Sequence, residues 1–68
     1  MQLYERIREL RKEKKESQRQ VAQSTGMTER QYQRLESGEN FPGFEYFCAL
    51  ADHFGVSLDY LAGRTDER

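Results

Sequence analysis

A chain of 68 residues has room for a single domain, and a domain of this size buries only about 60% of the surface that its unfolded chain exposes. The single cysteine cannot form an internal disulfide. Since the chain also has only one histidine, it has too few of the usual ligands for a zinc site, and no metal or other cofactor is predicted. The N-terminus lacks a signal-peptide pattern, and the longest apolar run, YFCALA at 46–51, is far too short to span a membrane. We therefore expect a soluble, cytoplasmic protein with one small hydrophobic core.

Glycine and proline divide the chain into short segments, none of which shows the alternation of a half-buried strand. The first segment carries Leu3, Ile7 and Leu10 at helical spacing on an otherwise charged stretch. The segment that begins at Phe44 carries the largest apolar face of the chain. The pattern predicts an all-α fold, a compact five-helix domain with helices at about 2–15, 18–25, 29–37, 44–54 and 58–62.

Two capping boxes mark the starts of the second and third helices. In SQRQ, the Ser17 hydroxyl can accept a hydrogen bond from the Gln20 amide while the Gln20 side chain reaches back, and TERQ repeats this arrangement from Thr28. Between the two helices, Gly26 permits a tight turn that a residue with a Cβ would resist. The sequence therefore predicts two capped helices on either side of one glycine turn.

The remaining glycine and loop signals indicate where the third helix and the domain end. Gly38 offers a left-handed C-cap for the third helix, and ENFPG after it has the composition of a loop. The helical pattern ends near residue 63, so we assign 1–63 to one domain. The polar tail RTDER, residues 64–68, is expected to be frayed.

Three stretches, in this order and at these spacings, resemble the Cro/CI-type helix-turn-helix family, also called XRE, which includes the lambdoid phage repressors. They are RIRELRKEK, SQRQVAQSTGMTERQYQRLESGE and LADHFGVSLDYL, and the resemblance extends from Arg6 to Leu61. It implies a five-helix DNA-binding domain. The chain departs from the family where Lys15 and Glu16 replace the usual glycine and apolar residue, so either Lys15 takes the left-handed conformation at some cost or the first helix ends differently. Glu39 also stands where a basic residue is common.

The resemblance implies a set of DNA-contacting residues at the start of the second helix and along the third. Gln18 would meet a backbone phosphate, aided by the helix N-terminus, while the third helix would enter the major groove. Arg30 and Arg34 are four residues apart and could each hold a guanine as a fork. The full set is Gln18, Arg19, Thr28, Glu29, Arg30, Gln31, Arg34 and Asn40.

Some of these residues have a second interpretation. Glu29 could accept from a cytosine amino group, or it could be present because acids favour a helix N-terminus. Gln31 suits adenine, but its place in the capping box competes with that role. Tyr32 shares a helical face with Leu35 rather than with the arginines, so we expect it in the core. His53 has no metal-ligand spacing near it and is expected to be solvated.

The resemblance also implies two contacts outside the DNA-facing set. Arg11, late in the first helix, would form a structural ion pair with Glu36, near the end of the third. Both could be ordinary surface charges, but we predict that they pair. Members of the family commonly dimerise through the last helix, where Tyr60 and Leu61 could form the interface, so we expect a homodimer on DNA.

The formal net charge of −1 is unevenly distributed along the chain. Residues 1–16 carry +2, residues 17–43 carry 0, and residues 44–68 carry −3. The acidity therefore lies mostly at the C-terminal end, and the helix-turn-helix keeps a mildly positive surface rich in hydrogen-bonding groups. Such a surface is compatible with DNA but does not require it.

The sequence leads to one main hypothesis and one alternative. The first is a sequence-specific DNA-binding transcriptional regulator, a repressor that binds a pseudo-palindromic operator in double-stranded DNA as a dimer. The alternative is a protein-binding module of the same fold, such as an antitoxin or an anti-regulator, which the acidic balance and Glu39 favour. An enzyme is not predicted, because no nucleophile and base are placed to cooperate.

Overall fold

The computed structural model describes residues 2–68 and contains five α-helices. These are α1 (Leu3–Glu13), α2 (Gln18–Thr25), α3 (Glu29–Glu36), α4 (Phe44–Phe54) and α5 (Leu58–Leu61). No strand occurs within the described part of the chain, so the all-α prediction is confirmed. The predicted boundaries agree within two residues at every helix end, and the largest difference is at the end of α1.

Both predicted capping boxes are present and set where α2 and α3 begin. The Ser17 hydroxyl accepts from the Gln20 amide at 3.1 Å, and the Gln20 side chain accepts from the Ser17 amide at 2.7 Å. Between the helices, Gly26 has a φ of +79°, and a Cβ added there would meet nothing within 4 Å. The glycine is therefore required by the left-handed backbone of the turn rather than by crowding.

The end of α1 resolves the question that Lys15 raised. Lys15 has a φ of +57°, so a lysine occupies the left-handed position where the resemblance predicted glycine. The amide of Glu16 donates to the Arg11 carbonyl and that of Lys15 to the Lys12 carbonyl, each at 3.1 Å, which is the Schellman pattern. The helix thus ends in the usual way, at the conformational cost that a side chain pays there.

Glu16 makes a polar contact where the family has an apolar one. Its carboxylate lies 2.8 Å from His53 Nε2, and Lys14 Nζ donates to the His53 carbonyl at 3.0 Å. The His53 side chain is only 14% exposed, so the expectation of a solvated histidine was wrong. The imidazole is held because α4 packs beside the α1–α2 turn, a long-range contact that helical spacing alone does not indicate.

The core lies where all five helices meet. Ile7, Val21, Tyr32, Leu50 and Leu61 are the largest side chains that are fully buried, one from each helix. The expectation that Tyr32 belongs to the core is confirmed. Its hydroxyl, however, has no hydrogen-bond partner in the described structure, and burial, followed by the nearby Glu36 carboxylate, raises the pKa of this phenol.

The segment after α5 folds back onto α1, which differs from the frayed tail that the sequence predicts. Arg6 is 4% exposed, its guanidinium lies 4.2 Å from the centre of the Tyr60 ring, and it donates to the Tyr60 carbonyl at 2.7 Å. The same guanidinium donates to the Thr65 carbonyl at 2.6 Å and to the Asp66 carboxylate at 2.7 Å. The tail is therefore attached by a buried cation, whereas the prediction rested only on its lack of apolar residues.

Candidate nucleic-acid interface

The outward face of α3 is a continuous polar surface that no other element of residues 2–68 covers. Tyr32 and Leu35 are buried and hold the helix to the core. An eight-residue helix is about 12 Å long, so its whole outer face could enter the major groove of B-DNA. The exposed residues on this helix and at its C-cap are Glu29, Arg30, Gln31, Gln33, Arg34 and Ser37.

The start of α3 is occupied by its own cap. The Thr28 hydroxyl accepts from the Gln31 amide at 3.1 Å, and the Gln31 side-chain carbonyl accepts from the Thr28 amide at 2.9 Å. An adenine fork needs both the carbonyl and the amino group of a glutamine. In this conformation the Gln31 carbonyl is held by the Thr28 amide, so of the two interpretations of Gln31 the capping role is the one that the structure shows.

The next turn of α3 carries a second internal contact. Gln33 Nε2 donates to the Glu29 carboxylate at 3.4 Å, and both side chains are exposed. Gln33 was absent from the residues singled out from the sequence, although its spacing of four from Glu29 could have revealed it. The Glu29 carboxylate is thus partly engaged and keeps one oxygen free to accept from a base.

Arg30 and Arg34 are the two cations on this surface. Arg30 is exposed and forms no ion pair with any residue from 2 to 68. Arg34 Nε lies 3.9 Å from the Glu39 carboxylate, and the side chains of this pair are 46% and 66% exposed. The terminal nitrogens of both guanidinium groups can therefore donate hydrogen bonds to a ligand at this surface.

An ion pair that is buried at Glu36 and partly exposed at Arg11 joins α1 to the end of α3. Arg11 Nε donates to one Glu36 carboxylate oxygen at 2.9 Å and its Nη2 to the other at 2.8 Å, with side-chain exposures of 16% for Arg11 and 5% for Glu36. Burial is the largest single influence and raises the pKa of Glu36, but the hydrogen bonds and charge of Arg11, together with the neighbouring polar groups of Tyr32 and Gln18, outweigh it, and the pKa lies below its ordinary value. The same contact raises the pKa of Arg11. The pair expected from the sequence is therefore in contact and ionised.

The ion pair also reaches the start of α2. Gln18 Nε2 donates to Glu36 Oε1 at 3.4 Å, and Arg11 Nη1 donates to the Glu16 carbonyl at 3.0 Å. One carboxylate thus fixes the N-terminus of α2 relative to α3. Arg8 adds a bond from α1 to the Glu36 carbonyl at 3.3 Å, a contact that the sequence did not indicate.

The remaining predicted DNA contacts lie at the two sides of α3. Arg19 is exposed in the first turn of α2. Asn40 is exposed in the loop after α3, and its amide donates to the Arg34 carbonyl at 3.3 Å. The sequence has no lysine or arginine from residue 35 to residue 63, so the loop side of this surface has no cation of its own beyond Arg34.

The residues predicted for a dimer interface are both buried within the protomer. Tyr60 is 7% exposed and Leu61 0%, because α5 is so short that both side chains are used to close the core. The neighbouring Leu58 is 37% exposed. The burial of Tyr60 and Leu61 leaves them little surface for a partner, and the homodimer itself stays a prediction.

Two capped helices at a glycine turn, the second with a polar face open to solvent, define a helix-turn-helix domain. Residues 7–61 match the helix-turn-helix family HTH_3. The chain belongs to this family, in its XRE-type branch, which confirms the resemblance read from the sequence.

Relatives and solved structures agree with this assignment. The chain is 38% identical over 69 residues to the cryptic phage CTXphi transcriptional repressor RstR of Vibrio cholerae, with 98% of this chain and 62% of that protein covered. It is 36% identical to the HTH-type transcriptional regulator AnsR of Bacillus subtilis, covering 94% of this chain and 55% of that one. This chain therefore spans little more than half the length of these curated relatives.

Among solved structures, the P22 c2 repressor in complex with a synthetic operator superposes with a TM-score of 0.88 at 31% identity. The match covers 91% of this chain and 94% of that one. A transcriptional regulator from Listeria innocua superposes with a TM-score of 0.87, also at 31% identity, over 98% of this chain and 63% of the other. In the described residues, no helix is long and apolar enough to cross a membrane, and no three potential metal ligands cluster together.

Proposed function

We propose that this chain is the DNA-binding part of a transcriptional repressor, which inserts α3 into the major groove of double-stranded DNA. The observation that carries the proposal is the outer face of α3, which is polar along its whole length and held rigid by a capping box and the Arg11–Glu36 pair. A helix presented in this way can read base edges without reorganising. The relatives named as repressors support the same function.

Two kinds of contact are assigned to this surface. Arg30 and Arg34 each hold a guanine through O6 and N7, while Glu29 accepts from a cytosine amino group. Gln18 and Arg19 bind phosphate at the N-terminus of α2, where the free amides of the helix favour an anion. Thr28 and Asn40 lie at the two ends of α3, where they contact the sugar-phosphate backbone of the DNA. With so few cations the affinity should fall only moderately with salt, since each neutralised phosphate contributes a slope of about −0.9.

The protein is proposed to act as a homodimer on a pseudo-palindromic operator, with half-sites about 34–36 Å apart. Because Tyr60 and Leu61 are buried, the contact between protomers has to use other residues. Exposed Leu58, in the same helix, is the apolar side chain available there. A monomeric mass by light scattering together with one protein per operator by native mass spectrometry would contradict the dimer.

Selection from random duplexes, followed by titration at several salt concentrations, tests the DNA-binding function. We expect one sequence to be enriched, and Arg30→Ala and Arg34→Ala each to lose about 1–3 kcal/mol at one base position. Arg64→Ala is the matched control, because Arg64 is 80% exposed and, among residues 2–68, pairs only with the exposed Asp59. If no sequence is enriched and the two α3 variants bind like the control, this function is wrong.

One observation favours the alternative of a protein-binding module. Phe41 and Phe44, in the loop beside α3 and at the start of α4, are 72% and 74% exposed. Large exposed aromatics are typical of protein contacts, and the loop has no cation to attract phosphate. The selection distinguishes the two functions, since an antitoxin or anti-regulator that used this surface would enrich no duplex.

A further inference from the structure

The C-terminal end of α3 places an acid directly beside one of the proposed base-reading arginines. Gly38 is left-handed, with a φ of +86°, and its amide donates to the Leu35 carbonyl at 3.2 Å. The Glu39 amide donates at 3.0 Å to the carbonyl of Arg34 itself. This is a Schellman motif, so the backbone of Glu39 is bonded to the backbone of Arg34.

The side chains of the two residues meet as a consequence. Glu39 Oε2 lies 3.9 Å from Nε of Arg34, and neither terminal nitrogen of this guanidinium has a hydrogen-bond partner among residues 2–68. The turn that carries Glu39 also lies close to α1, because a Cβ on Gly38 would be only 3.3 Å from the Tyr4 ring. The backbone of the Schellman motif therefore keeps the two residues within reach of each other, although both side chains are partly exposed.

The distribution of charge around this pair means that Glu39 affects how strongly Arg34 attracts phosphate. Arg34 is the last cation before Arg64, so on the loop side of α3 it is the group that phosphate would attract. A carboxylate near its Nε opposes that attraction and adds repulsion to the DNA backbone. The pair is weak in water, but excluding water from the groove would strengthen it.

We propose that Glu39 is a specificity-determining residue that positions Arg34 for guanine and prevents it from binding phosphate. The inference rests on the proposed function, in which α3 reads DNA. In a complex with the wrong sequence, an arginine without Glu39 could turn to the backbone and recover affinity. With Glu39 in place that alternative contact is lost, and binding depends on the correct base.

The test measures the affinity for three duplexes. The first is the selected operator, the second is the same operator with a changed base pair at the position where Arg34→Ala loses base specificity, and the third is a scrambled duplex. We expect Glu39→Gln to lower this discrimination by about two- to fivefold, the range for an exposed ion pair, by tightening the binding of the two wrong duplexes. Glu39→Lys should lower it further and steepen the salt dependence by about one phosphate contact. The backbone of the Schellman motif is retained in both variants, and circular dichroism checks the fold.

Two comparisons decide whether Glu39 acts through Arg34. Glu45→Gln removes the same charge from an exposed residue of α4 that pairs with nothing among residues 2–68, and it should leave discrimination unchanged. In an Arg34→Ala background, Glu39→Gln should have no effect at that base position. If Glu39→Gln and Glu45→Gln behave alike, or if Glu39→Gln still acts without Arg34, the inference is overturned while the operator stays bound. Failure of the proposed function is different, because the wild type would then select no operator at all.

Discussion

The Arg11–Glu36 pair offers the sharpest test of how this small domain holds α2 and α3 in place. Replacing Arg11 by Met keeps most of the side-chain volume but leaves the Glu36 carboxylate 5% exposed and without its cation. What remains to it is the longer bond from Gln18 at 3.4 Å. The variant therefore removes one partner of a buried pair, the change that is most destabilising for such pairs.

The magnitude follows from burial. Removing one partner of a buried ion pair costs about 3–5 kcal/mol. A domain of 68 residues has a total unfolding free energy of about 3–10 kcal/mol, so Arg11→Met should lose at least about a third of its stability at neutral pH, and all of it at the lower end of that range. The double variant Arg11→Met/Glu36→Leu replaces the pair by apolar groups and should recover most of the loss, because no charge is left buried.

The pH dependence should reverse sign between the wild type and Arg11→Met. In the wild type the folded pKa of Glu36 lies below its ordinary value of 4.5, so its contribution is present above that pH and is lost as the pH falls through the folded pKa. Without Arg11, burial is the dominant influence and raises the folded pKa above that of the unfolded chain. The variant should then become more stable as the pH falls from neutral toward 4.5, while the wild type does not.

Urea unfolding followed by circular dichroism at several pH values measures these effects. Lys12→Met is the control, because Lys12 is an exposed neighbour on the same helix without an ion pair in the described structure. The reasoning would be refuted if Arg11→Met cost less than about 1 kcal/mol, which is the value of an exposed pair. It would also be refuted if the double variant were as unstable as Arg11→Met.

Three further substitutions test the backbone and the core by the same unfolding measurement. Lys15→Gly should stabilise the domain by up to about 1 kcal/mol, because it relieves a left-handed lysine; a loss would mean that the Lys15 side chain contributes a contact. Gly38→Ala should cost more than Gly55→Ala, because both glycines are left-handed but only at Gly38 would a Cβ meet a neighbour, the Tyr4 ring at 3.3 Å; equal costs would exclude that crowding. Tyr32→Phe should be neutral or slightly stabilising, because it deletes a buried hydroxyl without a partner; a loss above about 1 kcal/mol would show that the hydroxyl is bonded to Glu36.

Much of the candidate interface followed from local signals. The cap at Thr28 and the spacing of Tyr32 and Leu35 determine which face of α3 is buried, and therefore which side chains, such as Arg30 and Arg34, remain exposed. Local spacing could not show that the Gln31 carbonyl would be taken by the cap rather than left free for a base, since both roles suit the same residue.

The sequence by itself determined the five helices, the glycine turn and the polar face of α3, because caps, left-handed turns and helical spacing act over a few residues. Only the tertiary structure decided which groups separated along the chain would meet. Arg6 is buried beneath the tail, His53 binds Glu16, and Tyr60 lies inside the core instead of at an interface. Each of these outcomes depends on how the helices pack against one another. The sequence around a short helix or a single charged residue does not indicate which distant residue it will contact.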